Sequence, residues 1–198
     1  MKHVLLGCIW ALGLAGQPLT QEERDRAMSH LHATRKMFLD AIDGLSTAQW
    51  TFKAAPERWS IAEVAEHIAV SEDSFHQLIT QRVLKTPPAP DKKADLANND
   101  ETILKQVVDR ERKAQAPEFL RPAGRWPNRE SLAAAFRTSR DRNIAYVEKT
   151  TEELRSHSTP HPAFGLMDAY QWLLTMSAHS ERHVAQILEV KADSRFPK

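Results

Sequence analysis

Two histidines four positions apart, His179 and His183, and a third far upstream, His67, are the residues of this chain best suited to hold a metal ion. Four residues make about one turn of α-helix, so the pair projects from one face. Imidazoles converging from separate segments are good ligands for a transition metal. Trp172, Met176, His179, His183, Ile187 and Val190 follow steps of three and four, which places the pair in the apolar stripe of its helix. His67 lies three residues after Val64 and four before Ser71, in a second such stripe. All three are predicted to point inward. A lone histidine on an apolar face is more often a hydrogen-bonded core residue than a ligand. Two imidazoles brought together there are costly without a metal or an acidic partner. Spacing by itself leaves both readings open.

Several familiar sites are excluded. A zincin helix needs Glu directly after its first histidine, but Ser180 stands there and Glu181 follows. A carboxylate-bridged di-iron bundle needs GluxxHis pairs, whereas Glu63 and Glu72 precede His67 and His76 by four. There is no glycine-rich phosphate loop and no nucleophile elbow. Cys8 is the sole cysteine and lies in the N-terminal apolar run, so a chain that loses this run has no disulfide, thiolate or cysteine-bound zinc. No catalytic base stands out. Glu63 is explained as a helix-capping partner, and Glu66 and Asp73 are expected to face solvent. His157 and His161, in a loop before the last helix, read as surface histidines that could border a pocket, and His30 lies at the edge of its own apolar stripe. Trp59, Trp172 and Met176 read as core packing or as pocket lining.

These residues must be positioned by helices. Thr20 with Glu23 makes a capping box, after which Ala27, Leu31, Thr34, Phe38, Ala41 and Leu45 keep helical spacing until Gly44. A short turn is expected over 46–50. Ser60 with Glu63 opens a second long helix carrying Ile61, Val64, Ile68, Ser71, Phe75 and Leu78, to about Leu84. Residues 85–97, with Pro87, Pro88 and Pro90, read as a linker, followed by a shorter helix from Asp100 to about Ala114. Asn128 caps a third long helix ending near Thr150, in which Arg137, Arg140, Asp141 and Arg142 read as the solvated face. Pro160, Pro162 and Gly165 mark a turn before the last helix, from Met167 to about Lys191. No convincing alternating strand remains, so the expectation is an all-α four-helix bundle with one short extra helix in the insert.

With 198 residues the chain suits one domain with a real core. Its 27 Lys plus Arg against 26 Asp plus Glu are interspersed, which leaves no electrostatic footprint for nucleic acid. Lys2 precedes an apolar run from Val4 to Leu14, with Gly13 and Ala15 at the small positions a signal peptidase reads. Residues 1–15 are therefore expected to be a signal peptide, and the protein periplasmic or secreted without a stable membrane anchor. The bundle would occupy residues 20–191.

Trp59, Ser60, Glu63 and His67 resemble the Trp-Ser-x-x-Glu-x-x-x-His opening of the second helix in DinB/YfiT-like proteins. His179, His183, Gln186 and Ile187 resemble their His-x-x-x-His-x-x-Gln-Ile helix. The resemblance implies a four-helix bundle, of a kind that frequently forms homodimers, and a divalent metal such as zinc or nickel on His67, His179 and His183. Three neutral ligands leave a coordination position open, as in catalytic rather than structural sites. The function expected from the resemblance is a metal-dependent hydrolase or thiol-dependent transferase acting on a small molecule. The rival is an exported, non-enzymatic bundle that binds metal, or haem through a pair such as His183 and Met176.

Overall fold

The computed structural model describes residues 18–89 and 98–198. The expected export segment, Cys8 and the end of the expected linker lie outside the described residues. Four helices start on the same device, in which a side chain accepts from the N3 amide while the N3 side chain accepts from the cap amide. Thr20 and Glu23 open α1 (Gln21–Ile42), Ser46 and Gln49 open the short α2 (Thr47–Thr51), and Ser60 and Glu63 open α3 (Ile61–Gln77). Asp168 and Gln171 do the same for α6 (Ala169–Lys191). Asn99 caps α4 (Asp100–Val108) and Asn128 caps α5 (Arg129–Lys149).

Helices α1, α3, α5 and α6 form the bundle. Helix α1 packs on α6 and α5, and α3 packs on α5 and α6, so the order around the square is α1, α6, α3, α5. Two apolar clusters stack along the bundle axis. Ala27 and Leu31 of α1 meet Ile79 and Val83 beyond α3, Val147 of α5 and residues 169–178 of α6 in one. Phe38, Ala41 and Ile42 meet Ile61–Ala69, Leu132, Phe136 and Val184–Val190 in the other. Helices α1 and α6 therefore run one way and α3 and α5 the other.

Between the clusters lies a buried polar layer. Arg140 of α5 holds Glu72 of α3 through Nη2 at 2.5 Å and Nε at 2.8 Å, and donates to Leu31 O, Thr34 Oγ1 and Ser180 Oγ. Arg140 and Glu72 are 0% and 1% exposed. The solvated-face reading holds for Arg137, Asp141 and Arg142 and fails for Arg140, whose guanidinium finds acceptors on all the other bundle helices.

The chain departs from the sequence reading at three places. Helix α3 gives way at Leu78 to a π-turn (Leu78–Arg82) and a 3-10 turn (Val83–Lys85), which bury Ile79 and Val83. Helix α4 stops at Val108, short of Ala114, because Arg182 takes the carbonyls of Val107 and Asp109 and turns the chain out. The stretch before α6 is a hairpin, β1 (Ser158–His161) antiparallel to β2 (Gly165–Asp168), so α6 begins at Ala169 rather than Met167. This two-stranded sheet is the departure from an all-α chain. Arg155 fastens it by pairing with Asp168, Asp100 and Glu23, and lies 4.0 Å from the Tyr170 ring centroid. Among the described residues no helix is long and apolar enough to cross a membrane.

Candidate metal centre

His67 from α3 and His179 and His183 from α6 meet at the level of the polar layer. One ring nitrogen from each lies within 4.8 Å of the others, and their ring centroids are 4.4 to 4.9 Å apart. The Nε2 atoms of His67 and His179 are 3.1 Å apart. Two ligands of a tetrahedral zinc with bonds of about 2.0–2.1 Å stand about 3.3 Å from each other, so this pair already stands near ligand spacing. His67 is 3% exposed, whereas His179 and His183 keep part of their surface accessible.

Two of the rings are held from behind. His67 Nδ1 lies 2.9 Å from Leu120 O, and His183 Nδ1 lies 2.8 Å from Gln186 Oε1. A carbonyl oxygen only accepts, so His67 carries its proton on Nδ1 and turns the Nε2 lone pair toward the triad. Arg110, paired with Glu189 at 2.9 Å, also reaches Gln186 Oε1 at 3.4 Å, which steadies that amide. Burial lowers the His67 pKa. Burial, then the neighbouring His183 and His67, take His179 well below its ordinary value. Burial and His67 push His183 down to about 3. All three rings are neutral at pH 7, the form in which imidazole binds a metal.

The same shifts make the metal-free protein acid-sensitive. Each ring takes up a proton more readily in the unfolded chain, near 6.5, than in the fold. Stability is therefore complete above about pH 6.5 and is lost as pH falls toward the folded value. For His183 alone this costs about 2 kcal/mol at pH 5. Chelator-treated protein is expected to unfold at lower urea at pH 5 than at pH 7.5, with a smaller difference in His183→Ala. Equal sensitivity in the two proteins would contradict it.

Glu66, expected to face solvent, is buried under the loop between α4 and α5. Its carboxylate accepts from the amides of Ala123 (2.7 Å), Gly124 (2.9 Å) and Arg125 (3.3 Å), and from Arg125 Nη1 at 2.7 Å. Gly124 sits at φ 73, where a side chain would be strained, and this lets successive amides turn toward one anion. Burial alone would raise the Glu66 pKa, but those donors outweigh it and hold it below the usual carboxylate range. Nothing in the local sequence signals this contact, because its partners lie on a distant loop.

The other candidates fall outside the triad. Glu63 is the capping partner of Ser60 and pairs with Lys53, and Asp73 makes an exposed pair with Arg142. His157 is hydrogen-bonded through Nδ1 to Thr86 O. His161 stacks on Phe164 and packs on Trp172, which meets Phe75, and Phe75 in turn lies 5.4 Å from the His179 ring. Trp59 flanks His67 at 5.2 Å. Met176 turns its sulfur to Asn143 Nδ2 at 3.3 Å, inside the polar layer, which occupies the atom a haem would need. His30 lines a surface groove with Arg26, Glu101 and Glu181.

The uncharacterized protein YuaE of Bacillus subtilis (strain 168) is 27% identical over 164 residues, covering 83% of this chain and 96% of that protein. The solved structure of YfiT from Bacillus subtilis, described as a probable metal-dependent hydrolase with an unusual four-helix bundle topology, is similar to this fold. The TM-score is 0.54 at 17% identity, over 87% of this chain and 88% of that one. Residues 30–187, from within α1 to near the end of α6, match the DinB superfamily, and they contain both histidine motifs; the chain belongs to that superfamily.

Proposed function

We propose that this protein is a metal-dependent enzyme, a hydrolase or a thiol-dependent transferase, whose divalent ion, zinc or nickel, is held by His67, His179 and His183. The reading is carried by the convergence of three neutral ring nitrogens within 4.8 Å, two of them on rings oriented from behind. When bound, the ion supplies Lewis acidity, acidifying a bound water or thiol and polarising an acceptor. The chain supplies the rest. Leu120 O and Gln186 fix the rings before any ion arrives, which limits the entropy lost on binding. Trp59 and Phe75 wall the triad with apolar surface, strengthening electrostatic interactions inside. No acid residue joins the triad among the described residues, so the ion's charge stays uncompensated and favours an anionic nucleophile.

Cobalt-substituted protein tests the open position directly. Its visible spectrum is expected to shift when a small thiol or azide is added, and turnover of an ester or electrophile panel is expected only in metal-loaded protein. Stoichiometric cobalt with a spectrum indifferent to both additives, and no turnover, would favour the non-enzymatic binder instead.

A further inference from the structure

We infer that Glu66 is a positioning residue for the metal ligand His67, acting through the loop between α4 and α5. The inference rests on the metal-centre reading above. Glu66 and His67 are adjacent on α3 and both grip the same loop, Glu66 by its carboxylate and His67 by Nδ1. The loop residue that meets His67 is Leu120, the end of a single 3-10 turn (Glu118–Leu120) with an otherwise irregular chain on either side. Such a turn does not hold its own carbonyl direction to the few tenths of an ångström that a ligand orientation requires.

Arg125 supplies the missing rigidity. Its guanidinium binds Glu66 Oε1 at 2.7 Å and also donates to Arg121 O at 3.0 Å and Phe119 O at 3.3 Å. Those carbonyls flank Leu120 on both sides, so the peptide facing His67 is clamped before and after. The three backbone amides of residues 123–125 close the other side of the carboxylate. Glu66 is thus the shared anchor of a path running from carboxylate to Arg125, to the Phe119–Arg121 peptides, to Leu120 O and into His67 Nδ1. Without the anchor, Leu120 O is free to leave, and His67 loses the bond that selects its Nδ1–H tautomer.

A glutamine at position 66 retains size but offers an NH2 group to donors that need an acceptor, so it unpins the loop with little change in volume. Cobalt and zinc affinities of wild type, Glu66→Gln and Arg125→Ala are measured by chelator competition, together with the cobalt visible spectrum and the thermal midpoint of each apo protein. Glu66→Gln is expected to weaken metal binding about 10- to 100-fold and to alter the cobalt spectrum, with Arg125→Ala changing both in the same direction. Glu63→Ala is the control. It removes the acceptor for the Ser60 amide and for Lys53, which loosens the start of the same helix, and is expected to lower the midpoint while leaving affinity and spectrum unchanged. An affinity in Glu66→Gln within about two-fold of wild type and an unaltered spectrum would overturn the proposal, even if its midpoint fell. Wild type that takes up no metal would instead overturn the metal-centre reading itself.

Discussion

Protein purified without a polyhistidine tag is expected to carry about one divalent ion per chain, and His67→Ala, His179→Ala and His183→Ala each to lose it on dialysis. Removing one of three ligands leaves two donors, and affinity is expected to fall by at least about 100-fold, beyond the loss caused by disturbing a residue that merely orients a ligand. The predicted effect on stability has opposite signs with and without metal. With saturating ion, wild type gains RT ln(1 + [L]/Kd) over its apo form, and the variants do not. Without ion, His179→Ala removes an imidazole that burial and two like neighbours hold far below its ordinary pKa, so the apo variant is expected to resist acid better than apo wild type. Elemental analysis and urea unfolding at pH 5 and 7.5 read both effects. A histidine serving only core packing would leave the metal content unchanged on substitution, and added ion would not separate wild type from the variants in stability; that pattern would refute the centre.

This sign reversal follows from where the triad sits. Where the two apolar clusters meet, the bundle holds three imidazoles on the α3–α6 side and an ion pair across the centre. Burying so many polar groups at one height costs stability unless each has a partner. Arg140 and Glu72 have each other. The Nε2 atoms of His67 and His179 have only one another, at 3.1 Å, which is the arrangement a cation relieves.

The triad was legible because its signals are local. The spacing of His179 and His183, their place in an apolar stripe, and the capping box that sets the phase of α3 are all read within one helix. The long helices were legible for the same reason, down to the Thr20, Ser60 and Asn128 caps. Glu66, Glu72 and Arg140 were misread or passed over because a charged residue in a helix reads as solvated unless its partner is known. Their partners lie far away in sequence, Glu66 being 57 to 59 positions from its loop and Glu72 68 positions from Arg140. The hairpin escaped because each strand has four residues with a proline in one, too short for an alternating pattern to stand out. The early end of α4 has a tertiary cause too, since Arg182 of α6 captures its last carbonyls.

Arg140→Met is expected to be among the most destabilising single substitutions in the bundle. It leaves the Glu72 carboxylate, 1% exposed, without its cation, and strips acceptors on α1 and α6 of their donor. Breaking one side of a buried pair costs about 3–5 kcal/mol, and for a domain of this size that lowers Tm by on the order of 10 °C. Glu72→Met acts from the other side and is expected to cost as much, because Arg140 keeps Leu31 O, Thr34 and Ser180 but loses both carboxylate bonds. Thr34 retains a bond to His30 O and Ser180 one to Met176 O, so neither hydroxyl is orphaned when both charges go. The double variant Glu72→Met, Arg140→Met is therefore expected to be more stable than either single one, since Asn143 Nδ2 also keeps Glu72 O and Met176 Sδ as acceptors. Calorimetry on the four proteins completes the cycle. Additive losses would mean that the two charges do not act as a pair, and a single Arg140→Met within about 1 kcal/mol of wild type would mean that the layer does not hold the bundle together. Ser180 lies beside His179 on α6, so the metal affinity of the double variant measures how far this layer also sets the rotation of the helix that presents two of the three ligands.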